Sequence, residues 1–179
     1  MTESVPEAQL KQVELGLVVE SEGWFVVNAR DVRWVRSEAR GQDTDFEGKQ
    51  EFPELGFRIQ VLSPGQRNGM YHGENHQENF LVVSGECVLV IEDEERRLKA
   101  WDFVHCPPWT QHIFVGAGDG PCVIVMTGSR VGGTEILYPV NEVAAKHGAS
   151  VQEETSKPAE AYANSGPEDW SAYREGWLP

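Results

Sequence analysis

The feature that most constrains this fold is the rhythm of residues 57–126, where short β-forming runs are cut apart by turn residues. Phe57–Leu62 ends at Ser63-Pro64-Gly65, Phe80–Val83 at Ser84-Gly85 and Cys87–Ile91 at Glu92–Glu95. Leu98–Val104 leads into Pro107-Pro108, and Ile113–Val115 runs into the turn Gly116–Pro121. Cys122–Met126 follows as a last buried strand. Many short strands with Gly and Pro turns predict an all-β sandwich or closed barrel. Upstream, Gly23–Asn28 reads as a first strand. Val32–Arg36 reads as a half-buried one with its arginines on one side, and residues 41–52 as a polar loop. Residues 1–22 are read as a loose polar arm, 23–131 as the β-domain and 132–179 as an extension. In that extension, Pro139–His147 is the one convincing helix, with Pro139 suited to its first turn and Gly148 to its C-terminal cap. Tyr162, Trp170, Tyr173 and Trp177 are too many aromatics for a free tail and are expected to dock on the β-domain or on a second subunit.

Composition sets the outer limits. The formal net charge is −14, which argues against nucleic acid and anionic membrane surfaces as partners, since both need clustered Lys and Arg. No apolar run approaches the ~18 residues of a membrane span, and the N-terminus lacks the basic start and apolar core of a signal peptide. A cytoplasmic protein is expected. The three cysteines, Cys87, Cys106 and Cys122, are an odd number in apolar surroundings, which fits buried reduced thiols better than a disulfide framework.

Chemistry concentrates between Gly65 and His112, which hold four of the five histidines: His72, His76, His105 and His112. Glu74 and Glu78 interleave with the first two. His72, Glu74, His76 and Glu78 share parity, so a regular strand would turn all four to one side and spread them over roughly 20 Å. A single ion binds its ligand atoms at about 2 Å, so either the set is a solvated acidic face or the chain bends between His72 and Glu78. Gly73 and Asn75 are residue types that allow the bend, and His112, on a second strand, would then close the site. His76 reads as a rim residue, His105 as a hydrogen-bonded structural histidine and Cys106 as a buried small residue. Tyr71 and Trp109 flank the patch as candidate substrate contacts, each with turn or strand packing as the alternative.

These residues resemble the two motifs of the cupin family. The first runs Gly, five residues, His-x-His, three or four residues, Glu, six residues, Gly. Here His72-Gly73-Glu74 is followed by three residues, Glu78, six residues and Gly85. The second motif, Gly-Asp then Pro-x-Gly-x-x-His, corresponds to Trp101-Asp102 and Pro107-Pro108-Trp109-Thr110-Gln111-His112. The chain departs from the family pattern in having Glu74 at the second histidine, Trp101 and Trp109 at two glycines, and Gly116 at the closing asparagine. The resemblance implies a double-stranded β-helix, a jelly-roll barrel with a short C-terminal helix and extension. It also implies a homodimer and a divalent metal, Mn, Fe or Zn, held by His72, Glu74, Glu78 and His112. An inward His76 in place of Glu74 is the rival ligand set. The function it implies is a metal-dependent small-molecule enzyme of the dioxygenase, decarboxylase or isomerase type. A non-catalytic binding or sensing module is the alternative.

Overall fold

The computed structural model describes residues 4–179, so residues 1–3 of the expected arm lie outside the described residues. The N-terminal strands are β1 (Leu10–Val13), β2 (Gly16–Val19), β3 (Trp34–Ser37), β4 (Gly41–Thr44) and β5 (Leu55–Leu62). The central strands are β6 (Gly73–Glu74), β7 (Glu78–Ser84), β8 (Glu86–Ile91), β9 (Glu94–Lys99), β10 (Phe103–Cys106), β11 (His112–Ala117) and β12 (Cys122–Ser129). The extension contributes β13 (Ile136–Leu137), α1 (Glu142–Ala145), α2 (Pro158–Ala161) and β14 (Glu168–Ser171). A seven-stranded sheet runs β10-β7-β12-β5-β4-β3-β14 and faces a three-stranded sheet, β11-β8-β9. Bridges at Arg67–Val115 and His72–His112 attach the segment before β6 to the free edge of β11. The pairings within both sheets are antiparallel, and the fold is a double-stranded β-helix. The closed barrel of the sequence reading is not formed: the two sheets face each other without hydrogen bonds joining their edges.

Side-chain parity explains the packing, because successive residues of a strand point to opposite faces. Leu62, Phe80, Val82, Leu89, Phe114, Ile124 and the three cysteines fill the space between the sheets. Burying each large side chain contributes roughly 1.5–3 kcal/mol. The opposite face of β5, Ile59 and Val61, packs with Trp34, Val32, Val123, Tyr173 and Trp177. Outside the small sheet, Tyr71, Val90 and Ile113 pack under Ala144 of α1 and Ala149. The tight turn between β8 and β9 has Glu92 and Asp93 at φ 45° and 70°, the left-handed pair that matches the twist of a two-residue hairpin.

Several local expectations fail. Residues 10–19 form a hairpin, not a loose arm, and its second strand is tied to the β-domain by Leu17 N–H donating to Asp31 O at 2.7 Å. Gly23–Asn28 is not a strand: Gly23 sits at φ 138° against the Pro6 and Glu7 backbone, where the chain turns. The polar run at 41–44 is strand β4, because its backbone pairs with β3 and β5 even though its side chains are hydrophilic. Arg33 and Arg36 do not share a side: Arg33 ion-pairs with Asp45 at 2.7 Å, whereas Arg36 lies exposed on the other parity. The helix starts at Glu142 rather than Pro139, since the Asn141 side chain caps it by accepting from Ala144 N–H at 2.8 Å. It also ends earlier than the expected His147, at Ala145 with Lys146 as C-cap, and Gly148 at φ 65° closes the turn that follows, where Ala149 N–H donates to Ala144 O at 3.0 Å. Among the described residues no helix is long and apolar enough to cross a membrane.

Candidate metal centre

Along four inward-facing rows the side chains change from apolar to polar at the same end of the sandwich. In β7, Val82 and Phe80 give way to Glu78, and in β11 Phe114 gives way to His112. In β5, Leu62 is followed by Gln60 and Arg58, and in β12 Ile124 and Met126 by Gly128. The polar ends enclose a cavity of about 350 Å³. The expected bend between His72 and Glu78 is present. Asn75 N–H donates to Glu135 O at 3.0 Å, and its side chain bonds Gly133 O at 3.1 Å and Glu135 N–H at 2.9 Å.

Three of the four expected ligands converge. His72, Glu78 and His112 each offer a ligand atom, all within 4.8 Å of one another. His112 Nε2 is 3.5 Å from Glu78 Oε2, and the two imidazole centroids are 5.2 Å apart. Backbone geometry sets this up: His72 and His112 are cross-strand partners, with His112 N–H donating to His72 O at 2.9 Å. His72 Nδ1 is 2.7 Å from Met70 O, and His112 Nδ1 is 3.0 Å from Thr110 O. A carbonyl oxygen only accepts, so in each ring Nδ1 carries the proton and Nε2 keeps its lone pair for the cavity.

Electrostatics favour a cation. Burial, and next the neighbouring His112, lower the His72 pKa to about 4; burial lowers His112 too. Both rings are therefore neutral donors at neutral pH. Burial raises Glu78 to about 7 against the opposing charge of Arg58. Glu74 is raised to about 7 by burial and then by Glu78. Two imidazole lone pairs and a carboxylate reluctant to ionise without a positive partner fit a divalent ion. Gly128 borders both carboxylates: a Cβ there would be in ordinary contact, 3.5 Å from Glu78 Cγ and 3.9 Å from Glu74 Oε1.

The remaining sequence candidates divide. Glu74 lines the cavity beside Glu78 but stands outside the converging trio. His76 is not at the rim; it is 6% exposed, with Nε2 unpartnered, and it does not line the cavity. Tyr71 points away from the cavity, because it follows the parity opposite to His72 and packs beneath α1. Trp109 also lies elsewhere. Its backbone, at φ 70°, clamps β6 by donating to Glu74 O at 2.6 Å, while its ring lines an outer cleft with Ile136, Leu137 and Pro158. His105 is exposed and bonded to Asn79 at 2.8 Å, and Cys106 is buried in the core. Sequence reasoning missed Arg40, Arg58 and Arg130 and the tyrosines Tyr138 and Tyr162, all of which line the cavity. Arg58 shares parity with Leu62, but the alternating Phe57, Ile59 and Val61 point to the opposite face as the buried one. Tyr138 and Tyr162 arrive from the extension; docking on the β-domain was expected of Tyr162, but nothing in the sequence placed either residue at this cavity.

A double-stranded β-helix with two histidines and a glutamate converging at one end of the sandwich defines the class of this molecule. The Cupin domain family model matches residues 58–128, and this segment is a cupin domain. No curated protein matches the chain. Among solved structures, a candidate sugar phosphate isomerase from Acidithiobacillus ferrooxidans is 25% identical, with 48% of this chain and 56% of that one covered, at TM-score 0.46. A cupin-superfamily sugar phosphate isomerase from Silicibacter pomeroyi is 22% identical, with 60% and 66% covered, at TM-score 0.48. The alignments span less than two thirds of both isomerases. The polyketide cyclase RemF from Streptomyces resistomycificus is 15% identical, with 59% and 79% covered, at TM-score 0.51, a likeness of fold.

Proposed function

We propose that the protein is a metal-dependent enzyme acting on a small molecule, with a divalent ion held by His72, Glu78 and His112. The observation that carries this reading is the convergence of three ligand atoms within 4.8 Å inside a cavity. Two neutral imidazoles and one or two carboxylates suit Mn(II), Fe(II) or Zn(II). Bound there, the ion would supply Lewis-acid polarisation or activation of water or O2. The chain's own residues have separate tasks. Met70 O and Thr110 O orient the two imidazoles, and Glu74 stands beside the trio as the carboxylate available to extend it. Tyr138, its ring centroid 5.7 Å from that of His72, and Tyr162 beside it wall the cavity and exclude water from that side. Dioxygenase, decarboxylase and isomerase chemistry all suit such a site, and fold alone does not choose among them.

Elemental analysis of purified and metal-loaded protein, with each candidate ligand replaced by alanine, tests the proposal. About one ion per chain is expected in the wild type, with loss in His72→Ala, Glu78→Ala and His112→Ala. Retention in His76→Ala is also expected. Metal content unchanged in His112→Ala overturns the assignment.

A further inference from the structure

The cavity has a second chemistry at odds with the rest of the molecule. The chain carries a net charge of −14, yet three arginines, Arg40, Arg58 and Arg130, line this one space. Two are already neutralised. Arg130 donates to the Glu47 carboxylate at 2.7 Å and to Phe52 O at 3.1 Å. Arg40 pairs with Glu168, and its guanidinium lies 4.6 Å from the Tyr162 ring centroid. Arg58 is different. No ion pair among the described residues includes it. Glu74, Glu78 and Asp43 feel it only as a charge through space, without a hydrogen bond.

The surroundings of Arg58 leave room for a ligand on its metal-facing side. It sits on β5 opposite Met126 of β12, next to a directly opposed glycine pair, Gly56 and Gly128; Gly128 is also the β7 partner of Glu78. A Cβ at Gly56 would press on the Arg130 guanidinium at 3.1 Å, and one at Gly128 would lie in ordinary contact with Glu78 and Glu74, so the glycine pair leaves the strip between arginines and carboxylates without side chains of its own. At about 350 Å³ the cavity is at the small end of ligand pockets. With Arg40 and Arg130 paired off, a divalent ion and Arg58 supply three positive charges against the two of Glu74 and Glu78. One positive charge is left, which a single carboxylate neutralises and a dianionic phosphate exceeds. A guanidinium fork also matches a carboxylate in two parallel hydrogen bonds.

We propose that the ligand of this site is a small organic carboxylate whose acid group pairs with Arg58 while its other end faces the metal centre, an inference that rests on the metal reading above. Glycolate, its uncharged amide and inorganic phosphate serve as probes, titrated calorimetrically into chelator-stripped and Mn(II)-loaded protein. Glycolate carries one carboxylate, with a hydroxyl at its other end to face the ion. The wild type and Arg58→Gln are compared, with Arg58→Lys as a charge-retaining variant. Glycolate is expected to bind the Mn(II) form, with the amide silent and phosphate at least tenfold weaker. Arg58→Gln is expected to lose at least tenfold in glycolate affinity while keeping wild-type metal stoichiometry, and Arg58→Lys to recover part of the loss. Equal glycolate affinity in wild type and Arg58→Gln, phosphate binding as tight as glycolate, or no glycolate binding in either form overturns the proposal. Failure of the metal reading would look different: no Mn(II) taken up, with Arg58-dependent glycolate binding to the stripped protein still supporting the carboxylate site.

Discussion

The pH range over which the site takes up a metal ion follows from which of its donors hold protons in the free protein. His72 is lowered to about 4, so above pH 5.5 a metal displaces no proton from that ring, and burial lowers His112 in the same direction. Glu78 and Glu74 are each raised to about 7 and must ionise before they coordinate. Each coordinating carboxylate therefore weakens apparent affinity about tenfold per pH unit below 7. From pH 8 to pH 5.5 the loss is about 30-fold if Glu78 alone ionises and about 1000-fold if Glu74 joins it. The same shifts act on the metal-free fold with opposite signs. The raised glutamates contribute stability that is fully present below their unfolded pKa and is lost as pH rises through 7. The lowered His72 contributes stability present above its unfolded value and lost as pH falls through about 4. Metal should therefore stabilise the protein more at pH 8 than at pH 5.5. Calorimetric titration of Mn(II) in two buffers of different ionisation heat counts the protons released. About one proton at pH 6 identifies Glu78 as the only ionising ligand, and about two bring in Glu74. Affinity unchanged between pH 5.5 and 8 would refute the reasoning, because no buried carboxylate would then be changing state.

Three further outcomes follow from particular contacts. Phe114→Ala should cost about 3–5 kcal/mol in a denaturant melt, since Phe114 is fully buried between the sheets against Phe80; a loss under about 1 kcal/mol would contradict that packing. Gly128→Val should fill the space beside Glu78 and Glu74 and weaken metal uptake about tenfold or more, with circular dichroism unchanged; undiminished uptake would show that the strip beside Gly128 is not needed. Cys87, Cys106 and Cys122 are free and buried, so thiol reagents should modify them only in denaturant, and a native disulfide would contradict the core as described.

The parts of the fold legible in the sequence were those where strand parity and turn chemistry agree. Much of residues 55–129 satisfies that condition, with Ser84-Gly85 and Glu92-Asp93 ending strands where expected. The expected strand Leu98–Val104 does not: a turn with Trp101 at φ 75° splits it between β9 and β10. Strand β4 was hidden because its inward and outward side chains are both hydrophilic, and backbone pairing with β3 and β5 decides its state. The aromatic tail was read as apolar surface seeking cover, and most of that cover is internal. Tyr173 and Trp177 pack on Trp34, and Trp170 lies against the Arg33 guanidinium, 3.4 Å from its ring centroid. At the site, His72, Glu78 and His112 were readable because motif spacing and the bend at Gly73–Asn75 both require them to meet. Arg58 was not, because alternation in β5 suggests that the apolar side faces inward. Here the apolar side lies beneath Trp34 and Tyr173, and the polar side, Arg58 and Gln60, lines the cavity. Tyr138 and Tyr162 belong to no local pattern at all, since the chain brings them back from the extension to cover the cavity.

The central claim is that His72, Glu78 and His112 hold one divalent ion. The most direct test is diffraction from crystals of metal-loaded protein at the absorption edge of Mn or Zn, which locates the ion without assuming a reaction. The account predicts a single anomalous peak per chain within about 2.0–2.3 Å of both imidazole Nε2 atoms and of a Glu78 oxygen. A peak elsewhere, for instance at the surface pair His147–Glu95, with none between His72 and His112, would contradict it.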